Sequence, residues 1–557
     1  MDLDTEILMH ALRNALMHKG RANEGAVISK IIGAHPELRK DAKRTGELVK
    51  RVVGEVNSLS EPAQMEEALR LGVSLEHEAK PEREGLPDLP NAQEGAVVTR
   101  FAPNPSAPLH LGHSRALLLS GLYAKKYNGR FILRFDDTDP RTKTPMKEAY
   151  DWILEDVRWF GFEPDAIVHA SDRMDTYYKY AVELLRKSHA YVCDCDTEKW
   201  KELTLAKTAC PCRARDAGAQ HERWLKMING GYKEGEAVVR IKTDLNHADP
   251  AMRDWPALRI IDVPHTRTGT EYRVWPLYNL ASAIDDHEFG VTHVFRGQEH
   301  QANAEKQAYL FKHMGWKEPD VATYGRLFVK GIALSKSEIV KGMKAGTYND
   351  WEDPRLGTLR ALRRRGFQPE TLVHLIEHVG IKPNNATISM ENLAAENKKF
   401  VDFRANRYYF VASPVEFTLS GKFTKKTAEV ALHPEDEARG ARTLNVKSKI
   451  LLDEKDVDAY GGKEVRLKGL FNVKVDVKNK TLTYTGEALE RETPKIHWLP
   501  AEETVACTIV MDDASVLQGK AEKGVTNELI GNTVQFERFG FVRIDNKEPF
   551  AAYFSHK

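Results

Sequence analysis

Residues 97–139 carry the pattern that most restricts how this chain can fold. A β-branched apolar run at 97–99 predicts a buried strand, and a loop rich in proline, asparagine and serine follows at 103–108. A helical pattern then opens at 110–113, and a second apolar strand follows at 131–133. Strand, loop, helix and parallel strand in about 35 residues predict a βαβ unit. In open parallel sheets, ligands bind at the carboxyl ends of strands, beside helix N-termini that attract phosphate.

Two histidines at the start of that helix are candidate phosphate ligands. His110 and His113 bracket Gly112, which allows a flat ring to approach the backbone closely. Imidazoles at a helix N-terminus can hydrogen-bond phosphoryl oxygens. Taken alone, the pattern fits a pair of surface histidines equally well.

A second signal lies about 220 residues downstream, where Lys336 stands between Ser335 and Ser337. A lysine between two serines, in a loop flanked by Gly331 and Gly342, suits a mobile phosphate clamp. On its own such a tripeptide is usually a solvated turn. The two signals in this order resemble the paired signatures of class I aminoacyl-tRNA synthetases.

This resemblance implies an ATP-dependent enzyme that activates an amino acid and transfers it to tRNA. It implies His110, His113 and Lys336 as catalytic groups, and Mg²⁺ as the ion that accompanies ATP. The nucleotide ligands that it implies are His110, Gly112, His113, Ser335 and Lys336.

The resemblance extends over roughly residues 95–557 and is to the glutamyl/glutaminyl branch of the class. It is carried by the segments 252–254, 263–265, 273–279, 291–300, 351–355, 362–366, 496–498 and 534–538. The fold class expected is multidomain α/β. The domains expected are a helical N-terminal extension and linker (1–94), the first part of a Rossmann-like catalytic domain (95–189), an inserted acceptor-stem-binding domain (190–272), the second catalytic part with the Lys336 loop (273–344), a helical stem-contact domain (345–405) and C-terminal β-barrels that bind the anticodon (406–557).

Four positions match the amino-acid-binding residues of this branch. Arg100 resembles the arginine that contacts the carboxylate end of the substrate, Asp136 the acid that holds the α-ammonium, and Tyr278 the tyrosine lining the pocket. Arg296 is the discriminating position, because the glutamyl enzymes have arginine there and the glutaminyl enzymes an uncharged residue. A guanidinium can clamp a γ-carboxylate through two parallel bonds, whereas a neutral amide would leave its charge unpaired. The alternative is that Arg296 is a surface arginine.

Three carboxylates, Asp136, Asp137 and Asp139, follow the second predicted strand. They would repel one another unless they met cations, so a substrate ammonium or Mg²⁺ would fit there. The alternative is an aspartate-rich turn in which Asp137 and Asp139 cap a helix.

Four of the five cysteines fall in one short window, as Cys193-Asp194-Cys195 and Cys210-Pro211-Cys212. In a chain expected to be cytosolic, clustered cysteines indicate metal rather than disulfides. Four thiolates would close a tetrahedral, structural Zn²⁺ site, with His221 as a spare candidate ligand. The alternative is a set of reduced, buried thiols.

Total charge does not identify a partner, since 82 Lys and Arg against 81 Asp and Glu leave a net charge of +1. A tRNA partner would therefore need a local basic face, and the arginines of 355–365 are the expected backbone contact. No apolar run approaches the ~20 residues of a membrane span, so the expectation is a cytoplasmic monomer with no membrane contact. Residues 1–75 read as helical, either a docking module or a small accessory domain.

The resemblance, with Arg296, implies an enzyme that activates glutamate with ATP and transfers it to tRNA(Glu). Three other functions compete with this one. A glutaminyl enzyme is opposed by Arg296. A small-molecule nucleotidyltransferase is opposed by the arginine-rich helices and the β-rich C-terminal third. A non-catalytic tRNA-binding relative is opposed by His110, His113 and Lys336. Whether tRNA(Gln) is also charged stays open.

Overall fold

The structure is a computed structural model that describes residues 2–18, 20–73, 85–489 and 491–557. It divides into two compact units, residues 1–84 and residues 85–557. Within the described ranges, no helix combines the length and the apolar character that a bilayer crossing needs.

The first unit is helical, as its sequence predicts. Its helices are α1 (Leu3–Met17), α2 (Glu24–Ala34), α3 (Ala42–Ser58) and α4 (Glu61–Arg70). Asp2 and Asn23 cap α1 and α2 by accepting from backbone N–H groups, which would otherwise lack partners. The apolar faces of α1 and α3 meet in one core, where Ile7 and Leu12 pack with Val52 and Val56.

The second unit opens with the expected βαβ unit. The elements in order are β1 (Val98–Phe101), α5 (Leu111–Lys126), β2 (Arg130–Phe135), α6 (Lys147–Trp159), β3 (Ala166–His169) and α7 (Met174–Arg186). Asn128 has a positive φ and a Cβ at Gly129 would lie 2.1 Å from the Val97 carbonyl oxygen, so this tight turn requires glycine. The βαβ prediction is confirmed, because β1 and β2 pair in parallel.

Residues 76–94 are charged and contain Pro81, Pro87 and Pro90, which predicts a linker, and residues 76–84 lie outside the described residues. The remainder packs on α5 instead of running free: Leu86 and Leu89 are buried, and Tyr123 donates to the Pro87 carbonyl oxygen. Residues 85–94 form neither helix nor strand, and the apolar residues next to the prolines pack into the core of the second unit.

An antiparallel sheet and two helices interrupt the parallel sheet. They are β4 (Ala190–Cys193), α8 (Thr197–Leu205), α9 (Ala217–Ile228), β5 (Val238–Ile241), β6 (Pro256–Ile260) and β7 (Val274–Pro276). The chain then returns through α10 (Tyr278–Glu288), β8 (His293–Gly297), α11 (Gln301–Met314), β9 (Asp320–Tyr324), β10 (Leu327–Lys330) and α12 (Lys336–Lys344). The completed parallel sheet has the order β3-β2-β1-β8-β9. Its order reverses direction at β1, so the β1 and β8 carboxyl ends border the crevice where ligands bind in such sheets.

Residues 345–405 are largely helical, with one strand that pairs back to β10. The elements are α13 (Leu359–Arg364), α14 (Pro369–Val379), β11 (Ala386–Ser389) and α15 (Met390–Val401).

The remainder forms two seven-stranded sheets, with a small hairpin between them. Its elements are β12 (Arg407–Tyr408), β13 (Phe410–Val411), β14 (Pro414–Ser420), β15 (Thr427–Ala431), β16 (Ala441–Asn445), β17 (Lys449–Asp453), α16 (Glu454–Tyr460), β18 (Glu464–Leu467), β19 (Asn472–Asp476), β20 (Thr481–Gly486), β21 (Lys495–Ile496), β22 (Leu499–Pro500), β23 (Thr504–Val510), β24 (Val516–Glu522), β25 (Thr533–Phe536), β26 (Gly540–Lys547) and β27 (Phe550–His556).

Both sheets curl round on themselves, as the barrel prediction requires. In one sheet β12 and β13 form the two opposite edges, yet only Tyr409 separates them along the chain. In the other, β21 and β22 are the edges and only residues 497–498 lie between them. Consecutive Cα atoms are about 3.8 Å apart, so each pair of edges must lie close together. The multidomain α/β architecture is thus the one that the sequence predicts.

Candidate active site

The histidine pair lies at the start of α5, beside the carboxyl end of β1. His110 is the N-cap of α5, and its ring lies against that of His113 with centroids 3.8 Å apart. A Cβ at Gly112 would lie 2.8 Å from Cε1 of His110, so the predicted close approach of ring and backbone is present. Nδ1 of His110 accepts from the Gly112 N–H (3.0 Å), and Nδ1 of His113 accepts from the His110 N–H (3.3 Å). Each neutral ring therefore carries its proton on Nε2 and can donate from there.

Both imidazoles are held in the neutral form. Burial lowers the pKa of His110 to about 4. Desolvation by the cleft walls, followed by repulsion from His110 and Lys143, lowers the pKa of His113 well below its ordinary value, although the ring is still accessible to solvent. At neutral pH the pair consequently offers hydrogen-bond donors and no net charge. Positive charge beside these two rings therefore has to come from other residues.

Lys336 is the first residue of α12, and Ser335 is the N-cap of that helix. The prediction that Gly342 flanks the Lys336 loop is wrong, because Gly342 lies inside α12. The Lys336 side chain is exposed, and partial desolvation together with Lys143 lowers its pKa. Its ammonium is therefore carried by an exposed side chain at the start of a helix.

The two signals are brought together by residues 356–359, which the sequence analysis did not single out. Leu111 N–H donates to the Gly357 carbonyl oxygen (3.0 Å), and Gly357 N–H donates to the Ala333 carbonyl oxygen (2.8 Å). A Cβ at Gly357 would lie 2.3 Å from Cδ2 of Leu334, so a larger residue there would have to push the Leu334 side chain aside. Gly357 was the sequence signal available for this contact, but a single glycine does not reveal that two distant segments approach each other closely.

Lys143 is a second cation near this end of the sheet that sequence reasoning missed. It lies close enough to lower the pKa of both His113 and Lys336. Its loop is held in place at both ends: Asp139 accepts from the Arg141 and Thr142 N–H groups, and Met146 N–H donates to the Pro105 carbonyl oxygen. Nothing in the local pattern distinguishes this lysine from any other exposed lysine.

The three carboxylates after β2 do not share one site. Asp137 is fully buried and accepts from Ser171 and Tyr150. Asp139 accepts from the backbone of the turn that follows it and pairs with Arg259, so it caps a turn and not a helix. Among the described residues, the four cysteines are the one group of three or more potential ligands close enough together to hold a metal ion, and the three aspartates do not form such a group.

Asp136 directly follows β2 and is held by a buried charge network. Arg134 approaches Asp136 at 3.4 Å and also donates to Asp285. Asp285 accepts in addition from Arg173 (2.6 Å) and Tyr177 (2.6 Å). Burial raises the pKa of Asp136, and Arg134 and Lys143 oppose that shift. Asp285 therefore fixes the cation that holds Asp136 in place.

Arg100 and Tyr278 lie together beside the same helix. Arg100 is buried and donates from Nε to Asp286 Oδ1 at 2.9 Å and from Nη2 to Oδ2 at 3.3 Å. Tyr278 begins α10, and Arg100 and Arg296 both lie within its electrostatic reach. The neighbouring aspartates 285 and 286 thus neutralise one arginine from each of the two adjacent strands β1 and β2.

Arg296 is buried at the carboxyl end of β8, with 5% of its surface exposed, so it is not a surface arginine. Its Nη2 donates to Oε1 of Gln307 at 2.8 Å, while Nε and Nη1 have no partner. No carboxylate among the described residues forms an ion pair with it, and burial followed by the nearby Arg100 lowers its pKa. Arg100 therefore has a carboxylate in direct contact, whereas Arg296 has none, and the carboxylate of Asp286 acts on Arg296 only over a distance.

The four predicted cysteines come together at the end of β4. Their sulfur atoms all lie within 4.8 Å of one another, with 3.9 Å between Cys193 and Cys210 and 3.4 Å between Cys195 and Cys212. A tetrahedral zinc with Zn–S bonds of about 2.3 Å has edges of about 3.8 Å, so the four thiols fit that ion. His221 is not part of the cluster.

The arginines of residues 355–365 have partners inside the protein, which does not support the expected contact with tRNA. Arg355 pairs with Asp353, and Arg365 is buried and donates to the Pro354 and Ser555 carbonyl oxygens. The other three pair with acidic residues from three separate segments: Arg360 with Glu155 and Glu352, Arg363 with Glu155, and Arg364 with Glu352 and Asp545. They join the catalytic part to the sheet that ends the chain.

Comparison with known proteins follows this division of the structure. The family model described as tRNA synthetases class I (E and Q), catalytic domain, matches residues 96–403. Two models described as anti-codon binding domains of the same synthetases match residues 405–489 and 495–545.

Three archaeal proteins are similar over nearly the whole length. The chain is 47% identical to the glutamate–tRNA ligase of Thermococcus onnurineus (strain NA1), with 100% of each chain covered. It is 49% identical to the glutamate–tRNA ligase of Thermococcus kodakarensis, with 99% of each covered, and 49% identical to that of Pyrococcus abyssi, with 100% of each covered.

Proposed function

The chain belongs to the class I tRNA synthetases of the E and Q type, and on that premise we infer that it is a glutamate–tRNA ligase. Its substrates are glutamate, ATP and tRNA. The observation that carries the choice of glutamate is the state of Arg296, a buried guanidinium with two unpartnered nitrogens and no acidic partner among the described residues. Leaving such a charge unpaired costs several kcal/mol, which a substrate γ-carboxylate would recover and a neutral amide would not.

Activation needs positioning more than proton transfer. The glutamate α-carboxylate attacks the α-phosphorus of ATP in line, so a C–O–P linkage forms and pyrophosphate leaves. That carboxylate is ionised at pH 7, and the step therefore requires no general base. Orientation of the two substrates and compensation of the charge that develops on the phosphate supply the acceleration.

The groups that would bind ATP are the ones grouped around the start of α5. The Nε2–H groups of His110 and His113 would donate to phosphoryl oxygens, with Gly112 leaving room for the nucleotide. Lys336, beside Ser335, would supply positive charge, and Lys143 adds a second cation. Magnesium bound with the nucleotide would supply further charge on the phosphates; no cluster of protein carboxylates in the described ranges is suited to holding it.

The amino acid would lie between β1, β2 and β8. Asp136 would accept from the α-ammonium, and Tyr278 would form the pocket wall. Arg100 would reach the carboxylate end with the nitrogen that Asp286 leaves free. This assignment needs the Arg100–Asp286 pair to remain closed while substrate binds, because otherwise the pocket would contain two uncompensated cations.

The cysteine cluster would hold a structural zinc ion through Cys193, Cys195, Cys210 and Cys212. A zinc ion with four thiolate ligands has no open position, so it would stabilise the inserted domain without taking part in the reaction. Its support is the donor set, four sulfur atoms that all lie within 4.8 Å of one another. Metal analysis of the intact purified protein tests it, and less than about half an equivalent of zinc would count against it.

The activated glutamate would pass to the 3′-terminal ribose of tRNA(Glu), and class I resemblance implies the 2′-hydroxyl as acceptor. Charging of tRNA(Gln) is a separate proposal, because Arg296 selects the amino acid and does not read the anticodon. We further propose that the enzyme acts as a cytoplasmic monomer. Aminoacylation of the two purified tRNAs tests the range of acceptors, and the mass of the protein in solution tests the monomer.

ATP–pyrophosphate exchange with glutamate and with glutamine, each with and without tRNA, tests the function as a whole. We expect exchange with glutamate, dependent on tRNA, and little with glutamine. Exchange with glutamine alone would identify a glutaminyl enzyme, and no exchange under any condition would identify a non-catalytic relative.

A further inference from the structure

The residue that holds Arg296 is a neutral amide. Gln307, on the second turn of α11, is 3% exposed, and its Oε1 accepts from Nη2 of Arg296 at 2.8 Å. Both side chains are buried away from water, so this bond fixes where the guanidinium lies. The sequence analysis did not single out Gln307, which is eleven residues beyond Arg296 on a different element.

Arg100 is held in a different way. It lies close enough to Arg296 to lower the pKa of that residue, and it pairs with Asp286 through two nitrogens. The aspartate both orients Arg100 and cancels its charge. Gln307 orients Arg296 through the same kind of hydrogen bond but leaves the charge in place.

The consequence for Arg296 is visible in its remaining donors. A guanidinium has five N–H groups, and here Nε and Nη1 are buried without a partner. A buried donor without an acceptor costs about 1–3 kcal/mol. A glutamate at position 307 would have nearly the same shape as Gln307 and would form an ion pair with Arg296. The charge of Arg296 stays available to a ligand because position 307 has an amide and not a carboxylate.

We propose that Gln307 is a positioning and specificity-determining residue: its amide oxygen fixes the Arg296 guanidinium while adding no negative charge, so that the substrate's second carboxylate supplies the missing anion. This rests on the proposed function above and extends it to the residue that keeps Arg296 unneutralised. Gln307 acts through Arg296 and takes no part in bond making.

Two variants separate charge from position. Gln307→Glu keeps the acceptor and adds a negative charge that pairs with Arg296; Gln307→Met keeps the length and removes the acceptor without adding charge. For Gln307→Glu we expect the KM for glutamate in ATP–pyrophosphate exchange to rise about 10²-fold. We expect the kcat/KM preference for glutamate over glutamine to fall at least about tenfold, while the KM for ATP stays within about twofold. For Gln307→Met we expect about a tenfold rise in the KM for glutamate, little change in kcat at saturating glutamate, and a preference over glutamine that is largely retained.

The glutamate KM and the preference for glutamate, measured for both variants, decide whether charge or position is responsible. Gln307→Glu with the parent's glutamate KM and the parent's preference would overturn the proposal. Equal loss of preference in both variants would also overturn it, since position and not charge would then be responsible. If thermal unfolding shows that Gln307→Glu is not folded, Gln307→Met tests the positioning role alone. A glutamate KM equal to that of the parent would then refute that role. A parent enzyme that does not activate glutamate would instead refute the proposed function itself.

Discussion

The arginines of residues 355–365 and the arginine at position 296 belong to the same compact unit, but their charges are treated in opposite ways. Around α13, Arg360, Arg363 and Arg364 pair with carboxylates from three other segments. At the end of β8, Arg296 meets only the neutral amide of Gln307. The first region is the more basic in sequence, yet its charge is compensated within the protein; the second shows a single cation and has no internal counter-ion among the described residues.

The difference shows that the density of basic residues is a poor guide to where an anion binds. A run of arginines predicts a nucleic-acid contact only if its charge is free, and tertiary partners decide that. A lone buried cation without a counter-ion is the stronger indication of a ligand, because a folded protein otherwise avoids this arrangement. The following substitutions test this contrast, in order of expected effect.

Removal of the uncompensated cation should have the largest effect. For Arg296→Ala we expect kcat/KM for glutamate to fall about 10³-fold or more, because the γ-carboxylate loses its counter-ion in a desolvated pocket. Exchange kinetics with varied glutamate and varied ATP measure this, and the KM for ATP should change little. A glutamate KM within about threefold of the parent's would remove the contrast altogether.

Removal of a buried counter-ion should come next. Asp285→Asn leaves Arg134 and Arg173 without their shared carboxylate, and we expect the free energy of unfolding to fall by about 3 kcal/mol. Urea unfolding followed by tryptophan fluorescence measures it. Asp545→Asn is the control, because that carboxylate is partly exposed; equal losses in the two variants would show that burial of the network contributes nothing.

Removal of the exposed Lys336 ammonium should have an intermediate effect, and this effect should be confined to the chemical step. For Lys336→Ala we expect adenylate formation to slow about 10²-fold, since a phosphate charge loses its stabilising ammonium. Rapid-quench measurement of the adenylate and a separate tRNA-binding assay distinguish the two steps. The tRNA Kd should stay nearly constant, and equal loss of both would contradict the assignment.

Removal of a compensated arginine should have the smallest effect. For Arg364→Ala we expect a loss of stability of about 1 kcal/mol and a KM for tRNA close to that of the parent, because its partners are Glu352 and Asp545. Steady-state aminoacylation and urea unfolding measure the two quantities. A tenfold rise in the KM for tRNA would instead restore the sequence-based prediction that these arginines bind tRNA.

The features that sequence predicted well are those set by short segments. The βαβ unit follows from neighbouring residues at 97–133, and the close approach of His110 to the backbone follows from Gly112. The two Cys-x-Cys pairs, seventeen residues apart in sequence, also come together as predicted. In each of these cases the residues that define the feature are local or carry a distinctive chemistry.

The features that sequence missed depend on contacts between distant segments. Asp286 and Arg100 are 186 residues apart, and Arg364 and Asp545 are 181 apart. Lys143 and Gln307 look like ordinary exposed and helical residues until the fold places them beside His113 and Arg296. A side-chain charge can be identified from a sequence, but whether it is compensated cannot.

The order of strands in the two C-terminal sheets has a consequence for synthesis. Residues 414–500 contain every strand of one sheet, whereas the other sheet combines β12 and β13 with strands from residues 504–556. On the ribosome, the sheet of residues 414–500 can therefore complete its hydrogen bonds while β12 and β13 still await β25 and β24, their partners. β12 and β13 are thus translated first in this region, yet they can pair with the rest of their sheet only after residues 516–536 have emerged.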